Sequence, residues 1–139
     1  MGKSSRKTSK VLMVSVLIAV VVVAGLGVYA ALTYPRIVVS FPVSFTVGAD
    51  VENREFDMPL LHGWVQVEVA VISGTALWSA KIVCQDGVVW SHAAHQAGQT
   101  VYRSGWIELP SGHYNFTLAT AGLGSLEAVI KVTSKGGFW

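Results

Sequence analysis

The sequence predicts an all-β sandwich, immunoglobulin-like or jelly-roll-like, with seven or eight antiparallel strands, preceded by one N-terminal transmembrane helix. Three observations predict it. Residues 11–34 contain no Asp, Glu, Lys, Arg or His. From position 36 onward, apolar and polar residues alternate with a period of two in window after window. Clusters of Gly, Pro, Asp and Ser separate those windows at intervals of about ten residues, as a meander of hairpins requires.

Length and composition set the bounds. A chain of 139 residues holds one ordinary core plus an appendage. Only 13% of residues are charged and mean hydropathy is +0.52, which excludes a disordered chain and argues against a purely soluble one. One cysteine excludes an internal disulfide framework or a cysteine-built zinc site.

Charge divides the chain into three parts: 1–10 a basic cytoplasmic tail, 11–35 a transmembrane helix, 36–139 an extracytoplasmic β-sandwich. Lys3, Arg6, Lys7 and Lys10 give the tail +4; the other six bases and all eight acids follow position 35, a balance of −2. A folded part with a slight acidic excess offers no electrostatic case for nucleic acid. The tail's cations set topology instead. Four precede the apolar run and Arg36 alone follows it closely, which predicts an N-terminus in the cytoplasm and a C-terminal domain outside the cell membrane.

As a helix, residues 11–34 would reach roughly 36 Å, enough to cross a hydrocarbon core of about 30 Å with some tilt. A helix apolar on every side belongs in lipid, because a soluble one would show a polar face. Tyr29 and Tyr34 fall at interfacial depth, and Pro35 stops the helix. A secretory signal cleaved after Ala30 competes with this reading. The apolar run exceeds the usual signal core of about 7–15 residues, which favours a retained signal-anchor. Ala24, Gly27 and Ala31 lie on one side of the helix, where small residues allow close approach of a second helix, in self-association or against another membrane subunit. A basic leader, an apolar helix and a β head resemble the layout of type IV pilins. Here, however, Lys10 stands where those leaders usually end in a small residue, and Ser15 where bacterial pilins usually carry a glutamate.

The strand windows follow in order. Ile37, Val39, Phe41, Val43, Phe45 and Val47 alternate with polar residues, and Pro42 marks an edge or bulged strand. Val65, Val67, Val69 and Val71 make one face of the next strand, opposite Gln66 and Glu68. Trp78, Ala80, Ile82 and Cys84 alternate with Ser79 and Lys81, and Asp86-Gly87 is the strongest hairpin turn. Residues 87–93 and 100–109 supply two strands. Tyr114, Phe116 and Leu118 form another, and Leu126, Ala128, Ile130 and Val132 the last. The connection Gly48–Gly63 is expected to be the longest irregular loop.

Chemistry-bearing residues are few. Cys84 with His92 and His95 invites a copper centre, which on a β-sandwich needs a Cys and two His brought together. On a strand, an offset of three puts His92 and His95 on opposite faces, so the favoured reading is a small core cysteine with rim histidines. Asp50, Glu52, Glu55 and Asp57 cluster in the long connection as hard calcium ligands, without the glycine-centred loop of an EF-hand. A solvated connector is favoured, so no metal and no cofactor are expected. No G-x-S-x-G elbow exists and no nucleophile is motif-linked to a base, so no enzyme is expected. Asn115-Phe116-Thr117 is a glycosylation sequon on the polar face of its strand. Trp64 shares the face of Gln66 and Glu68, and with Trp139 it is the candidate for partner contact; Trp90, Trp106 and Tyr102 are assigned to packing.

These observations point to a single-pass, membrane-anchored sandwich acting as an accessory or interaction subunit, or as a surface binding module. Its expected partners are the bilayer and another membrane or surface protein. Two alternatives stand beside it: a pilin-like or donor-strand-exchanging filament subunit, using strand 37–47, and a small copper-carrying domain.

Overall fold

The computed structural model describes residues 2–94 and 100–136 of the chain. Two units result, residues 1–32 and 33–139. The first holds α1, Gly2–Thr33, up to Leu32; its apolar stretch Ser9–Thr33 is long and apolar enough to cross a membrane. Pro35 lies just beyond its end, since the residue before a proline disfavours helical backbone.

Among the described residues, the second unit is built of nine antiparallel strands. β1 (Arg36–Phe45), β3 (Trp64–Gly74), β6 (Thr100–Arg103), β7 (Ile107–Glu108) and β9 (Leu126–Lys135) form one sheet. Its order is β1-β9-β3-β6, with β7 also pairing β3. β2 (Gly48–Asp57), β4 (Leu77–Cys84), β5 (Gly87–Ala94) and β8 (His113–Gly122) form the other, ordered β2-β8-β4-β5. The predicted sandwich is therefore present, and its topology is settled. An immunoglobulin fold would set the first two strands side by side. Here β1 and β2 lie in different sheets, and the last strand inserts between the first and third, which is the jelly-roll arrangement.

Period-two sequences produce this because each valine stripe finds the opposite sheet. Val65, Val67 and Val69 of β3, Ile130 and Val132 of β9, and Phe116 and Leu118 of β8 have no exposed surface. The Phe41 ring meets that of Phe116 edge-on at 6.1 Å. Burying side chains of this size contributes about 1.5–3 kcal/mol each, so these central strands hold the sandwich together.

Two expectations fail. Gly48–Gly63 is not a loop: β2 takes its first ten residues and pairs with β8 from Gly48↔Gly122 to Asp57↔His113. The alternation that marks a strand is missing because the inward positions of this edge strand carry Asp50, Glu52 and Arg54, and Phe56 alone is buried. Inward-pointing charges are a known way to protect an exposed sheet edge from pairing with another chain. The Arg54 guanidinium lies 4.5 Å from the Phe41 ring centre, closing the gap between β1 and β2 with a cation–π contact. Second, Ile37 and Val47 leave the inner face of the first strand. A bulge at Val38 turns Ile37 outward, and Val47 lies beyond the strand end.

Residues 100–109 form two short strands because Ser104 breaks the ladder. Its N still donates to Val67 O (2.9 Å), but its Oγ, in place of a backbone carbonyl, accepts from Val67 N (2.8 Å) and donates to Gly105 O (2.9 Å). β2 and this break raise the strand count above the expected seven or eight. β1 pairs with β9 from Arg36↔Ser134 to Phe45↔Leu126, which makes it an integral edge strand of its own sheet.

Candidate functional site

Strand register brings the outward residues of the second sheet into rows. Val51, Ala119, Ser79 and Ala93 form one row across β2, β8, β4 and β5; Asn53, Thr117, Lys81 and Ser91 form the next. Ala49, Ala121 and Leu77 lie one row further toward the β8–β9 turn. Small side chains in the middle of the face leave a depression of about 280 Å³, floored by Ser79, Ala119 and Ala93, with Lys81 and Ser91 along its side. Half the face is thus uncharged and low. The next row is polar, tied on one side by Thr117 Oγ1 donating to Asn53 Oδ1 at 2.8 Å. Lys81 forms no ion pair among the described residues.

At the opposite end of the same face stand Glu55, Asp57 and His113. His113 Nδ1 lies 2.6 Å from Asp57 Oδ1 and Nε2 lies 3.8 Å from Glu55 Oε2. The hydrogen bond to Asp57, aided by the nearby negative charges, raises the imidazole pKa above its ordinary value. Beside them a depression of about 580 Å³ is lined in part by Cys84, Asp86, Pro110 and Tyr114. The buried Tyr114 hydroxyl donates to Pro110 O at 2.6 Å, and burial pushes its pKa up.

The acidic residues of the supposed calcium loop are divided by the pleat of β2. Asp50 and Glu52 share the inward side with Phe56, whereas Glu55 and Asp57 are on the outward side. Asp50 Oδ1 accepts from Val51 N, and Glu52 pairs with Arg54 at 3.0 Å. The copper candidates are not brought together either. Cys84 is opposite Gly87 and His92 opposite Ala80, a separation of about 13 Å along the sheet. His92 is a packing residue. Its ring stacks on Tyr102 at 4.0 Å and 12° and lies 5.7 Å from Trp78, so β5 and β6 are bridged by aromatic rings at the open side of the sandwich. Burial there raises the Tyr102 pKa. Among the described residues no cluster of three or more metal-ligating side chains exists; His95 lies outside them.

On the outer face of the first sheet, Trp64 is half-buried between Lys135 and Glu108. Trp139 lies outside the described residues. Trp106, assigned to packing by sequence, is 38% exposed, with the Lys135 ammonium 4.3 Å from its ring centre. It falls in the break between β6 and β7, where no alternation assigns a side chain to a face. Asn115 sits half-buried on central strand β8, its Oδ1 shielded and without a hydrogen bond. Ala24, Gly27 and Ala31 remain exposed on α1.

No protein-family model matches the chain, and no curated protein matches it in sequence. Its fold is similar to solved structures. PBSX exported protein XepA superposes with a TM-score of 0.52 at 11% identity, over 73% of this chain and 36% of that one. PirA gives 0.50 at 13%, over 67% of this chain and 92% of that one. TmCBM61, solved in complex with β-1,4-galactotriose, gives 0.47 at 12%, over 73% and 88%. At such identities the likeness is one of fold alone.

Proposed function

We propose that this chain is a single-pass, membrane-anchored interaction subunit that presents a jelly roll on the outer side of the membrane and docks a protein partner on the outer face of β2-β8-β4-β5. One observation carries the docking site. On that face exposed Ala49, Val51, Leu77 and Ala121 surround the half-buried Ala119 in an uncharged surface bordered by the polar row Asn53–Thr117–Lys81–Ser91. Contiguous apolar surface rimmed by polar residues marks protein interaction sites. Flat small residues suit another protein better than a small molecule, which needs a concave, enclosing pocket. The outside location rests on the four tail cations against Arg36 and on the length of the apolar helix. Catalysis has no part in this reading, since no activated nucleophile is encoded.

The test is photo-crosslinking in native membranes with benzoylphenylalanine replacing Ser79, in the depression, or Lys131, on the outer face of the other sheet. A discrete heavier adduct from position 79, absent from position 131 and abolished by Val51→Lys, is expected. A homodimer adduct would redirect the proposal to self-assembly, as in the filament alternative. Equal adducts from both positions, or none from 79, would contradict the docking face.

A further inference from the structure

The turn between β2 and β3 has a sequence that water does not explain. His62 N donates to Pro59 O at 3.0 Å, closing a four-residue turn with Leu60 and Leu61 at its centre. Leu61 has φ +64°, a left-handed backbone that favours glycine or asparagine and is strained for leucine. Both leucines are nonetheless outside the core, Leu60 71% and Leu61 51% exposed. A strained turn that displays two large aliphatic side chains gains nothing in water; it gains if apolar surroundings receive them.

The chain itself says what those surroundings are. Thr33, the last residue of the apolar stretch, is packed within the sandwich unit: it is 1% exposed and its carbonyl accepts from Gly136 N at 2.9 Å. Gly136 is where Thr33 and the turn meet. A Cβ built on it would fall 2.5 Å from Thr33 Cβ and 2.9 Å from Leu61 O. Thr33 is the residue at which the sandwich unit takes over from the apolar stretch, so the turn that meets it at Gly136 stands beside the point where the chain leaves the membrane. The surrounding residues have the chemistry of that zone. Tyr34 is exposed, Arg36 is exposed, and the Lys135 ammonium covers the partly exposed Trp106. Tyr and Trp rings with Lys and Arg heads are the residues enriched at bilayer interfaces. The acids at this end, Glu55, Asp57, Asp86 and Glu108, lie on β2, in the β4–β5 turn and on β7, and not in the leucine turn.

Resting on the anchor reading above, we infer that the Pro59–His62 turn, with Trp106 and Tyr34 beside it, is a bilayer-contacting foot: Leu60 and Leu61 enter the interfacial region of the membrane that holds α1. The foot holds this turn of the sandwich at the membrane surface.

The full chain carrying Cys84→Ala, reconstituted in phosphatidylcholine–phosphatidylglycerol vesicles, allows one nitroxide label at a time at Val20→Cys, Leu60→Cys or Leu123→Cys. Collision with oxygen and with a water-soluble nickel chelate reports depth. The expected order is position 20 deep in the bilayer, 60 at interfacial depth and 123, in the β8–β9 turn at the far end, fully aqueous. Position 20 deep while 60 is as accessible to nickel as 123 would overturn the foot and leave the anchor standing. Position 20 in water would overturn both.

Discussion

The two ends of the jelly roll share closure by backbone hydrogen bonds and differ in what is added to it. At the far end, Thr75 N and Ala76 N both donate to Ser125 O, at 2.9 and 3.2 Å, and Gly74 and Gly122 take positive φ to let the turns approach. At the helix end, backbone bonds such as Met58 N to Gly112 O (3.1 Å), Gly63 N to Lys135 O (3.0 Å) and Leu109 N to Gly63 O (2.8 Å) are joined by side chains: His62 Nδ1 lies 2.7 Å from Ser134 Oγ, the Tyr114 hydroxyl reaches Pro110, and Ser104 bridges the broken strand. Exposed apolar residues occur at both, but of different kinds. Leu123, 96% exposed, and Val47 make the far end aliphatic, whereas the helix end pairs leucines with Trp106, Tyr34, Lys135 and Arg36. The difference lies in what is added to the backbone: the far end depends on a close approach of turns at Gly74, whereas the helix end adds buried polar side chains.

Because the turns at the far end approach closely at Gly74, a single methyl group there should do the most damage. In Gly74→Ala the new Cβ would collide with the Ser125 carbonyl and force alanine into a φ of +120°. A loss on the order of 3 kcal/mol is expected from strain and overpacking together, read as a lower urea midpoint. At the helix end, Ser134→Ala removes a fully buried hydroxyl from His62 and should cost about 1–2 kcal/mol in the same assay. Equal losses from the two variants would erase the distinction.

The smallest effect concerns pH. His113 has a raised pKa in the folded chain, so its contribution is fully present below the ordinary histidine value of about 6.5 and is lost as pH rises through the raised value. The Tm difference between the parent chain and His113→Gln should be largest in mild acid and shrink toward alkaline pH. Because the pair is solvent-exposed, the difference is small everywhere; one that grows with pH would refute the assigned charge pairing.

How far the sequence speaks depends on which side chains do the work. β3, β8 and β9 are legible because their inward positions are apolar and their outward ones polar. β2 is illegible because its inward side is charged, a property of edges that periodicity cannot register. The far-end turns announce themselves through glycine, but the Pro59–His62 turn does not, since leucine occupies the position where glycine would signal it. The docking face was half visible. Each strand's outward residues follow from parity, yet which of them share a row is fixed by register across four strands, set by long-range packing. Trp106 lies where a strand is interrupted, and an interruption has no parity to read. The partner candidate Trp64 stands at an outward position of β3, on the other sheet from the uncharged face.

The central claim is the partition of the chain between lipid and the outer aqueous space. In intact cells expressing the Cys84→Ala chain, a membrane-impermeant maleimide should modify Leu123→Cys at once and reach Ser9→Cys only after permeabilisation. The reverse pattern, or modification of both positions only after permeabilisation, would contradict the account. A cell-surface chain modified at position 123 but lacking residue 9 altogether would show the apolar segment to be a cleaved signal and remove the anchor.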